Sequence, residues 1–258
     1  LSDDLGCHLT AISIDPSQPF PREAEPKPET LTEVAALVKS SNSQIGFAQD
    51  PDGDRLAVID ETGQVLDNDD VLALAVEAAL ERLPGPVVVN LTTSSAIDDI
   101  CGRFHRKVYR TPVGEANVVE RMEATQASIG GEGSSGGIIF PSVHLCRDSY
   151  SGMAMFLGRM AATGLKISEL VARLPRYFRR FGKAEYRHGQ LPALMQDLEA
   201  AFPDASCDRL DGLKLIWDGS WIHVRSSNTE PVLRLAAEAR EERRLDELWN
   251  KLTSLLRP

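Results

Sequence analysis

Cysteine, histidine and long apolar runs are all scarce in this sequence, and each scarcity excludes a class of protein. The four cysteines are far apart and form no CxxC pair, so we expect no structural disulfides and a reducing, cytoplasmic location. The five histidines are scattered, without the HxxxH spacing of a metal site. No apolar run approaches the roughly 20 residues that a membrane-spanning helix needs, which argues against a membrane protein.

Basic residues are also in deficit. Lysine and arginine total 28 against 38 aspartates and glutamates, which gives a formal net charge of −10. Such a balance argues against nucleic acid or an anionic membrane as the main partner. An anionic small substrate stays possible, because a pocket can be locally basic on an acidic protein. The pattern predicts no particular oligomeric state.

The elements predicted along the 258 residues form three units. Residues 1–65 contain a predicted strand at 7–15, a proline-rich connection, a helix and two short strands. Residues 66–165 alternate strands and helices, which implies an α/β layer around a mainly parallel sheet. Residues 166–258 begin with a predicted helix at 167–178 and include a hairpin, as expected of a smaller α+β unit. The chain opens without Met and as if in mid-domain, so we expect it to be a fragment.

The first chemical signal is the segment DPDGDR, residues 50–55, here named the aspartate loop. It carries three carboxylates at alternate positions: Asp50, Asp52 and Asp54. Gly53 allows a close bend and Pro51 restricts the chain, so the carboxylates can converge on one hard cation, with Mg²⁺ favoured and Mn²⁺ or Ca²⁺ possible. Arg55 suits a phosphate or carboxylate partner.

Two other interpretations of the aspartate loop are open. An EF-hand also begins D-x-D-x-D, and Glu61 is twelfth from Asp50, but Arg55 occupies the sixth position, where an EF-hand needs glycine. A solvated acidic turn between two strands is the simpler alternative.

A second loop is rich in glycine and serine. The segment GGEGSSGG, residues 130–137 and here named the glycine loop, follows a predicted strand and carries Glu132 with Ser134 or Ser135. Ligands are expected at the C-terminal edge of a parallel sheet, and these side chains can bind the vicinal hydroxyls of a sugar. The alternative is a connection without a ligand.

A third loop combines cations with hydroxyl donors. The segment RSSNTEPVLR, residues 225–234 and here named the arginine loop, places Arg225 and Arg234 on either side of Ser226, Ser227, Asn228 and Thr229. Planar guanidinium donors and hydroxyls together suit a dianionic phosphate. We expect Glu230 to balance one arginine. The alternative is a polar turn between two strands.

Taken in order, DPDGDR, GEGSSGG and RSSNTEP resemble the metal, sugar and phosphate loops of the α-D-phosphohexomutase family. That family includes phosphoglucosamine mutases, phosphomannomutases and phosphoglucomutases. The resemblance extends to FPREAEPKPET, NLTTSSAIDDI, TPVGEANVVERM and DGSWIHVRSSNTEP. It implies that residues 1–65 are the C-terminal part of domain 2, residues 66–165 domain 3 and residues 166–258 domain 4. No serine loop of the TASHNP type, which carries the family's phosphoserine, occurs in the sequence.

The resemblance also implies a mechanism and roles for residues. A phosphoserine donates its phosphoryl group to a hexose phosphate through a bound hexose 1,6-bisphosphate, a transfer that depends on positioning and charge neutralisation. Asp50, Asp52 and Asp54 are the implied Mg²⁺ ligands, and Arg55 the catalytic residue beside the transferring group. The implied substrate-binding residues are Glu132, Ser134 and Ser135 for the sugar, with Arg225, Ser227, Asn228, Thr229 and Arg234 for the phosphate.

Departures from the family pattern bear on the substrate. The glycine loop carries one extra residue, so Ser134 and Ser135 remain alternatives. Gly137 and Glu115 stand where many members have histidine, which favours the phosphoglucosamine mutase or phosphomannomutase branch. The sequence therefore predicts a phosphohexomutase acting on glucosamine or mannose phosphate, with this fragment alone inactive. The alternatives are a phosphoglucomutase acting on glucose phosphate, a non-catalytic sugar-phosphate-binding protein and a calcium-binding structural module.

Overall fold

The computed structural model describes residues 2–15, 17–186, 191–227 and 230–256, apart from the side chain of Ser135. Within these residues the helices are α1 (Ser2–Leu5), α2 (Thr32–Ser40), α3 (Asn68–Leu80), α4 (Ala96–Arg103), α5 (Glu115–Thr125), α6 (Ser149–Thr163), α7 (Ile167–Val171), α8 (Leu191–Ala201) and α9 (Glu242–Leu255). Short 3-10 helices span Pro28–Thr30 and Gly133–Ser135.

The strands form three sheets. Their bounds are β1 (Ile45–Gln49), β2 (Leu56–Asp60), β3 (Val87–Asn90), β4 (Val108–Thr111), β5 (Ile129–Glu132), β6 (Gly137–Ile139), β7 (Phe178–Glu185), β8 (Ser206–Asp208), β9 (Leu213–Trp217), β10 (Ser220–Ser226) and β11 (Val232–Ala239). The sheets have the orders β1-β2, β4-β3-β5-β6 and β7-β11-β10-β9-β8.

The first sheet is an antiparallel hairpin whose connection is the aspartate loop. Helix α2 packs on it through a small apolar cluster that includes Leu31, Val38 and Ile59. The strand predicted at 7–15 is wrong, because those residues have no regular structure. Leu9 and Ile14 are 72% and 78% exposed, so the apolar alternation that suggested a strand has no neighbouring strand or core to pack against among the described residues.

The second sheet is mainly parallel, as predicted. Strand β3 pairs in parallel with β4 and β5, and only β6 runs antiparallel. The run Val87–Val89 is fully buried, as expected of a central strand covered on both faces. Helix α3 is buried along most of its length, and the acceptor side chain of Asp67 caps its first turn.

The third sheet is antiparallel throughout, and α8 and α9 contribute to the apolar core on one face. The predicted hairpin is present as β9 and β10, joined at Asp218-Gly219 with a φ of +67° at the glycine. The helix predicted at 167–178 is wrong in its second half, because α7 ends at Val171 and β7 begins at Phe178. Pro175 cannot continue a helix and disfavours helical backbone at the preceding residue.

Together the sheets confirm the predicted fold class, α/β layers followed by a smaller α+β part. In the part of the chain that the structure describes, no helix combines the length and apolar character needed to cross a membrane.

Candidate functional site

The aspartate loop brings its three carboxylates together. One oxygen from each of Asp50, Asp52 and Asp54 lies within 4.8 Å of the others. Gly53 has a φ of +74°, a conformation that favours glycine, and its carbonyl accepts a 2.6 Å hydrogen bond from Ser149 Oγ. The start of α6 therefore holds the loop in place.

The two less exposed aspartates differ in their surroundings. The Arg55 N–H donates to Asp50 Oδ1 at 3.1 Å. Burial by itself raises the pKa of Asp50, but this hydrogen bond and the neighbouring polar groups outweigh burial and hold that pKa below its ordinary value. Burial, followed by contact with the Asp50 carboxyl, raises the pKa of Asp54 to about 6.

Asp54 provides a test of whether a cation fits. Its Oδ1 is buried and accepts no hydrogen bond from the described residues, although Arg55 Nε lies 3.9 Å away. A buried carboxylate oxygen without a donor is unfavourable unless an ion or water completes it. Three carboxylates that offer only oxygen ligands suit Mg²⁺ or another hard cation, so the residues present fit such an ion.

The other oxygen of Asp54 is bound by Arg147, a residue that the sequence analysis missed. Arg147 Nη2 pairs with Asp54 Oδ2, and its Nε lies 3.0 Å from Glu115 Oε2. The Arg147 N–H also donates to Glu115 Oε1 at 2.8 Å. Arg147 thus joins the aspartate loop to the first residue of α5. Nothing in the local sequence around Arg147 points to this contact.

The glycine loop connects β5 to β6. Glu132, at the end of β5, is buried, and its Oε1 accepts hydrogen bonds from Asn90 Nδ2 at 2.8 Å and from the Gly114 N–H at 2.7 Å. Ser134 is exposed, with its Oγ 3.3 Å from Thr92 Oγ1. The side chain of Ser135 lies outside the described residues. The glycine loop contacts the residue that directly follows the aspartate loop, because the Leu56 N–H donates to the Gly136 carbonyl at 3.3 Å.

The arginine loop lies at one end of the β10–β11 pair. Arg225 and Arg234 are directly opposite in the pairing, and the Ser227 N–H donates to the Val232 carbonyl at 2.9 Å. Arg234 Nη2 lies 2.9 Å from Glu230 Oε2, so the predicted pairing of Glu230 with an arginine is confirmed. Two further predicted residues, Asn228 and Thr229, lie outside the described residues.

Three consecutive residues, Val113 to Glu115, connect the loops; they are here named the connecting segment. The Val113 N–H donates to Asp211 Oδ2 at 3.0 Å, and that carboxylate lies 4.0 Å from Arg225 Nε. The Gly114 N–H donates to Glu132 Oε1. Glu115 pairs with Arg147, which in turn pairs with Asp54. Each residue of the connecting segment is therefore linked to a different loop, by a direct hydrogen bond or through one intervening side chain.

A cleft of about 800 Å³ lies elsewhere and is lined by residues from 26–28, 60–70 and 168–179. None of the predicted site residues that the structure describes lines it. We place the candidate site at the connecting segment, because it is linked to residues of all three loops directly or through one side chain.

Three models of one protein family match consecutive parts of the chain. The protein-family model described as "Phosphoglucomutase/phosphomannomutase, alpha/beta/alpha domain II" matches residues 1–63. The family model for alpha/beta/alpha domain III matches residues 67–178. The model for the C-terminal domain of the same family matches residues 190–254.

Individual relatives agree with the family models. The "Phosphoglucomutase/phosphomannomutase" of Thermococcus kodakarensis is 36% identical over 248 residues, 95% of this chain and 54% of the relative. The "Probable phosphoglucosamine mutase" of Methanopyrus kandleri is 33% identical over 258 residues, 98% of this chain and 57% of the relative. The chain therefore spans little more than half the length of these curated relatives.

Solved structures give the same result. A phosphoglucomutase/phosphomannomutase family protein from Burkholderia thailandensis matches with a TM-score of 0.77 and 27% identity, over 89% of this chain and 50% of that one. An N-acetylphosphoglucosamine mutase from Aspergillus fumigatus matches with a TM-score of 0.62 over 82% of this chain and 52% of that one. At 16% identity the second likeness concerns the fold alone.

Proposed function

This chain belongs to the phosphoglucomutase/phosphomannomutase family of α-D-phosphohexomutases, and we propose that it carries the metal, sugar and phosphate loops of an enzyme that interconverts hexose 6-phosphate and hexose 1-phosphate. Glucosamine phosphate or mannose phosphate is the proposed substrate. The observation that carries the proposal is the connecting segment, whose three residues lead to all three loops.

In this proposal the aspartate loop holds Mg²⁺ through Asp50, Asp52 and Asp54. When bound, the ion supplies electrostatic stabilisation of the transferring phosphoryl group. Arg55 adds a cation beside that group, since its Nε lies 3.6 Å from Asp50 Oδ2 and its side chain is 32% exposed.

The glycine loop binds the sugar. Glu132 is held rigidly by Asn90 and Gly114, so it can orient sugar hydroxyls without first losing side-chain freedom. Ser134, or Ser135 beside it, adds a hydroxyl that both donates and accepts. Neutral hydroxyls are recognised in either orientation of the sugar, as the interconversion of 1- and 6-phosphates requires.

The arginine loop binds the phosphate that is not reacting. Arg225 and Arg234 face each other across β10 and β11, and Ser227, with Asn228 and Thr229, supplies further donors in the proposal. Lys183 and Arg234 both pair with Glu230, which leaves Arg225 as the better placed cation. The phosphoserine that the mechanism requires has no TASHNP-type motif among the 258 residues, so we predict no mutase activity for this polypeptide alone.

Two solved structures of related proteins support the choice of ligands. The Aspergillus fumigatus N-acetylphosphoglucosamine mutase is described in complex with GlcNAc-6P and magnesium. A variant of that mutase is described in complex with glucose 1,6-bisphosphate. These ligands combine a phosphate, a sugar and a divalent cation, the three chemistries proposed here for the three loops.

The proposal is tested by calorimetric titration of the 258-residue chain with glucosamine 6-phosphate, mannose 6-phosphate and glucose 6-phosphate in the presence of Mg²⁺. We expect saturable binding of at least one ligand and its loss in Arg225→Ala. Arg209→Ala is the control, because Arg209 is exposed and its ion pair with Glu199 lies outside the three loops. Binding of no hexose phosphate, or binding unaffected by Arg225→Ala, would overturn the proposal.

A mutase activity assay distinguishes a catalytic protein from one that only binds sugar phosphates. Turnover by this polypeptide without added protein contradicts the predicted inactivity. A non-catalytic sugar-phosphate-binding protein predicts binding as above, but no turnover by the intact protein with a bisphosphate activator.

A further inference from the structure

Arg147 lies where the aspartate loop, the glycine loop and α5 meet. Its backbone forms an isolated antiparallel bridge with Ile139, the last residue of β6, which continues from the glycine loop. Its guanidinium pairs with Asp54 and Glu115, and its N–H donates to the same Glu115 side chain. The side chain is only 16% exposed, so it is held by its carboxylate partners and by packing.

The contact with Asp54 uses only one of the two carboxylate oxygens. Arg147 binds Oδ2, whereas Oδ1 is buried and accepts no hydrogen bond within the described part of the chain. A carboxylate fixed through one oxygen has a defined rotamer, and its second oxygen then has a defined direction. Asp54 is also one of the three carboxylates that lie close enough together to hold a cation.

The glycine loop makes room for the arginine. A Cβ built on Gly137 would lie 2.1 Å from Arg147 Cδ and 2.7 Å from its Cγ, distances that no packed pair of carbons adopts. The φ of Gly137 lies outside the left-handed region, so the space, and not the backbone conformation, requires glycine. Any larger residue at position 137 must displace the Arg147 side chain.

We propose that Arg147 is a positioning residue for the cation of the aspartate loop. Glu115 holds the Arg147 guanidinium, Arg147 holds Asp54 Oδ2, and Asp54 Oδ1 is thereby presented to the cation. Partners of metal ligands in this outer position orient the ligand, and their replacement typically lowers metal affinity about 10- to 100-fold. This inference rests on the proposed function, because it takes the aspartate loop as a cation site.

Charge alone predicts the opposite effect. A guanidinium in contact with a metal ligand repels a divalent cation, so its removal should strengthen metal binding if charge dominates. Positioning predicts that removal weakens binding. Lysine keeps the charge but lacks the planar two-pronged geometry, so Arg147→Lys separates geometry from charge.

The experiment measures Mn²⁺ affinity of the 258-residue chain from the electron paramagnetic resonance signal of free Mn²⁺. We expect Arg147→Lys and Arg147→Met to bind Mn²⁺ about 10- to 100-fold more weakly than wild type. Gly137→Ala should also weaken Mn²⁺ binding, because its Cβ displaces the Arg147 side chain while residue 147 remains arginine. The matched control is Arg159→Lys, because Arg159 is similarly buried and pairs with two carboxylates, Glu77 and Glu81, outside the aspartate loop.

The outcomes distinguish this inference from the proposed function. If wild type binds no Mn²⁺, or if Asp52→Asn binds it as well as wild type, the cation site itself is refuted. If wild type binds through the aspartate loop but Arg147→Lys and Gly137→Ala keep full affinity, the positioning role is refuted alone. Tighter binding by Arg147→Met also refutes it. Circular dichroism checks that each variant is folded. If Arg147→Met does not fold, the Mn²⁺ affinity of Arg147→Lys alone tests the positioning role.

Discussion

Replacement of Glu132 separates its structural contribution from its proposed contact with the sugar. The side chain is 5% exposed, and its Oε1 accepts hydrogen bonds from Asn90 Nδ2 and the Gly114 N–H. Glu132→Gln keeps an oxygen that can accept both bonds. Glu132→Ala removes the acceptor and leaves two donors without this partner.

The magnitude follows from the burial of those donors. A buried donor left without a partner costs about 1–3 kcal/mol. Asn90 is 1% exposed, so its side chain cannot turn to water. Gly114 is only partly buried, so the cost at its N–H lies near the lower limit of this range. We therefore expect Glu132→Ala to lower the free energy of unfolding by about 2–4 kcal/mol. Glu132→Gln should lower it by less than about 1 kcal/mol, because neutral hydrogen bonds replace charge-assisted ones.

Urea unfolding followed by circular dichroism measures the stability, and calorimetry with glucosamine 6-phosphate measures ligand affinity. We expect Glu132→Gln to retain stability but to lose ligand binding, and Glu132→Ala to lose both. Glu123→Ala, on the exposed side of α5, is the control. An unchanged unfolding free energy for Glu132→Ala refutes the hydrogen-bond geometry, and full ligand affinity in Glu132→Gln refutes the sugar contact.

Further predictions concern the aspartate loop, the core and pH. Gly53→Ala should cost about 1–2 kcal/mol of unfolding free energy, because φ at Gly53 is +74°, and it should weaken Mn²⁺ binding in the resonance assay. Phe156→Ala should cost about 3–5 kcal/mol in urea unfolding, because Phe156 is 1% exposed within the largest apolar cluster. Burial, and then the nearby charge of Arg110, lower the pKa of Lys214 to about 7. Between pH 7 and the ordinary lysine pKa, the unfolded chain therefore binds a proton that the folded chain lacks. The unfolding free energy of wild type relative to Lys214→Met should therefore rise with pH over this range, by up to about 1.4 kcal/mol per unit, and a flat difference contradicts the assigned burial.

The regular elements that the sequence predicted correctly are those with local causes. The predicted hairpin is present as β9 and β10 because Asp218-Gly219 turns the chain, and the aspartate loop is a turn because proline and glycine bend it. The failures have non-local causes or involve one overlooked residue. Residues 7–15 alternate as a strand does but pair with no strand among the described residues. The residues on both sides of Pro175 fit a helical pattern, but the proline prevents one helix from running through all of them.

The same division holds for the candidate site. Residues adjacent in sequence, such as the three aspartates, could be predicted as a group because their spacing is visible. Arg147 and Asn90 could not, since each acts on a residue far along the chain and no local spacing reveals that contact. The connecting segment is visible in the sequence only within a resemblance to known proteins. Its role depends on the packing of α5 beside β5, which no local pattern specifies.

The contact between the second and third sheets bears on how the glycine loop and the arginine loop are held relative to each other. Lys214 Nζ donates to the Leu91 carbonyl at 2.6 Å, the Ser95 N–H donates to Glu238 Oε1 at 2.8 Å, and Trp221 Nε1 donates to Ser95 Oγ at 3.1 Å. These bonds are directional, so they specify one orientation of the third sheet, yet each contributes only about 0.5–1.5 kcal/mol net. Ion pairs reinforce the contact, because Arg179 in β7 pairs with Asp67 and Asp69, and Arg240 after β11 pairs with Asp99. The third sheet also has an apolar core of its own. The arginine loop is carried on the third sheet and the glycine loop on the second, so these contacts set how the two loops lie relative to each other.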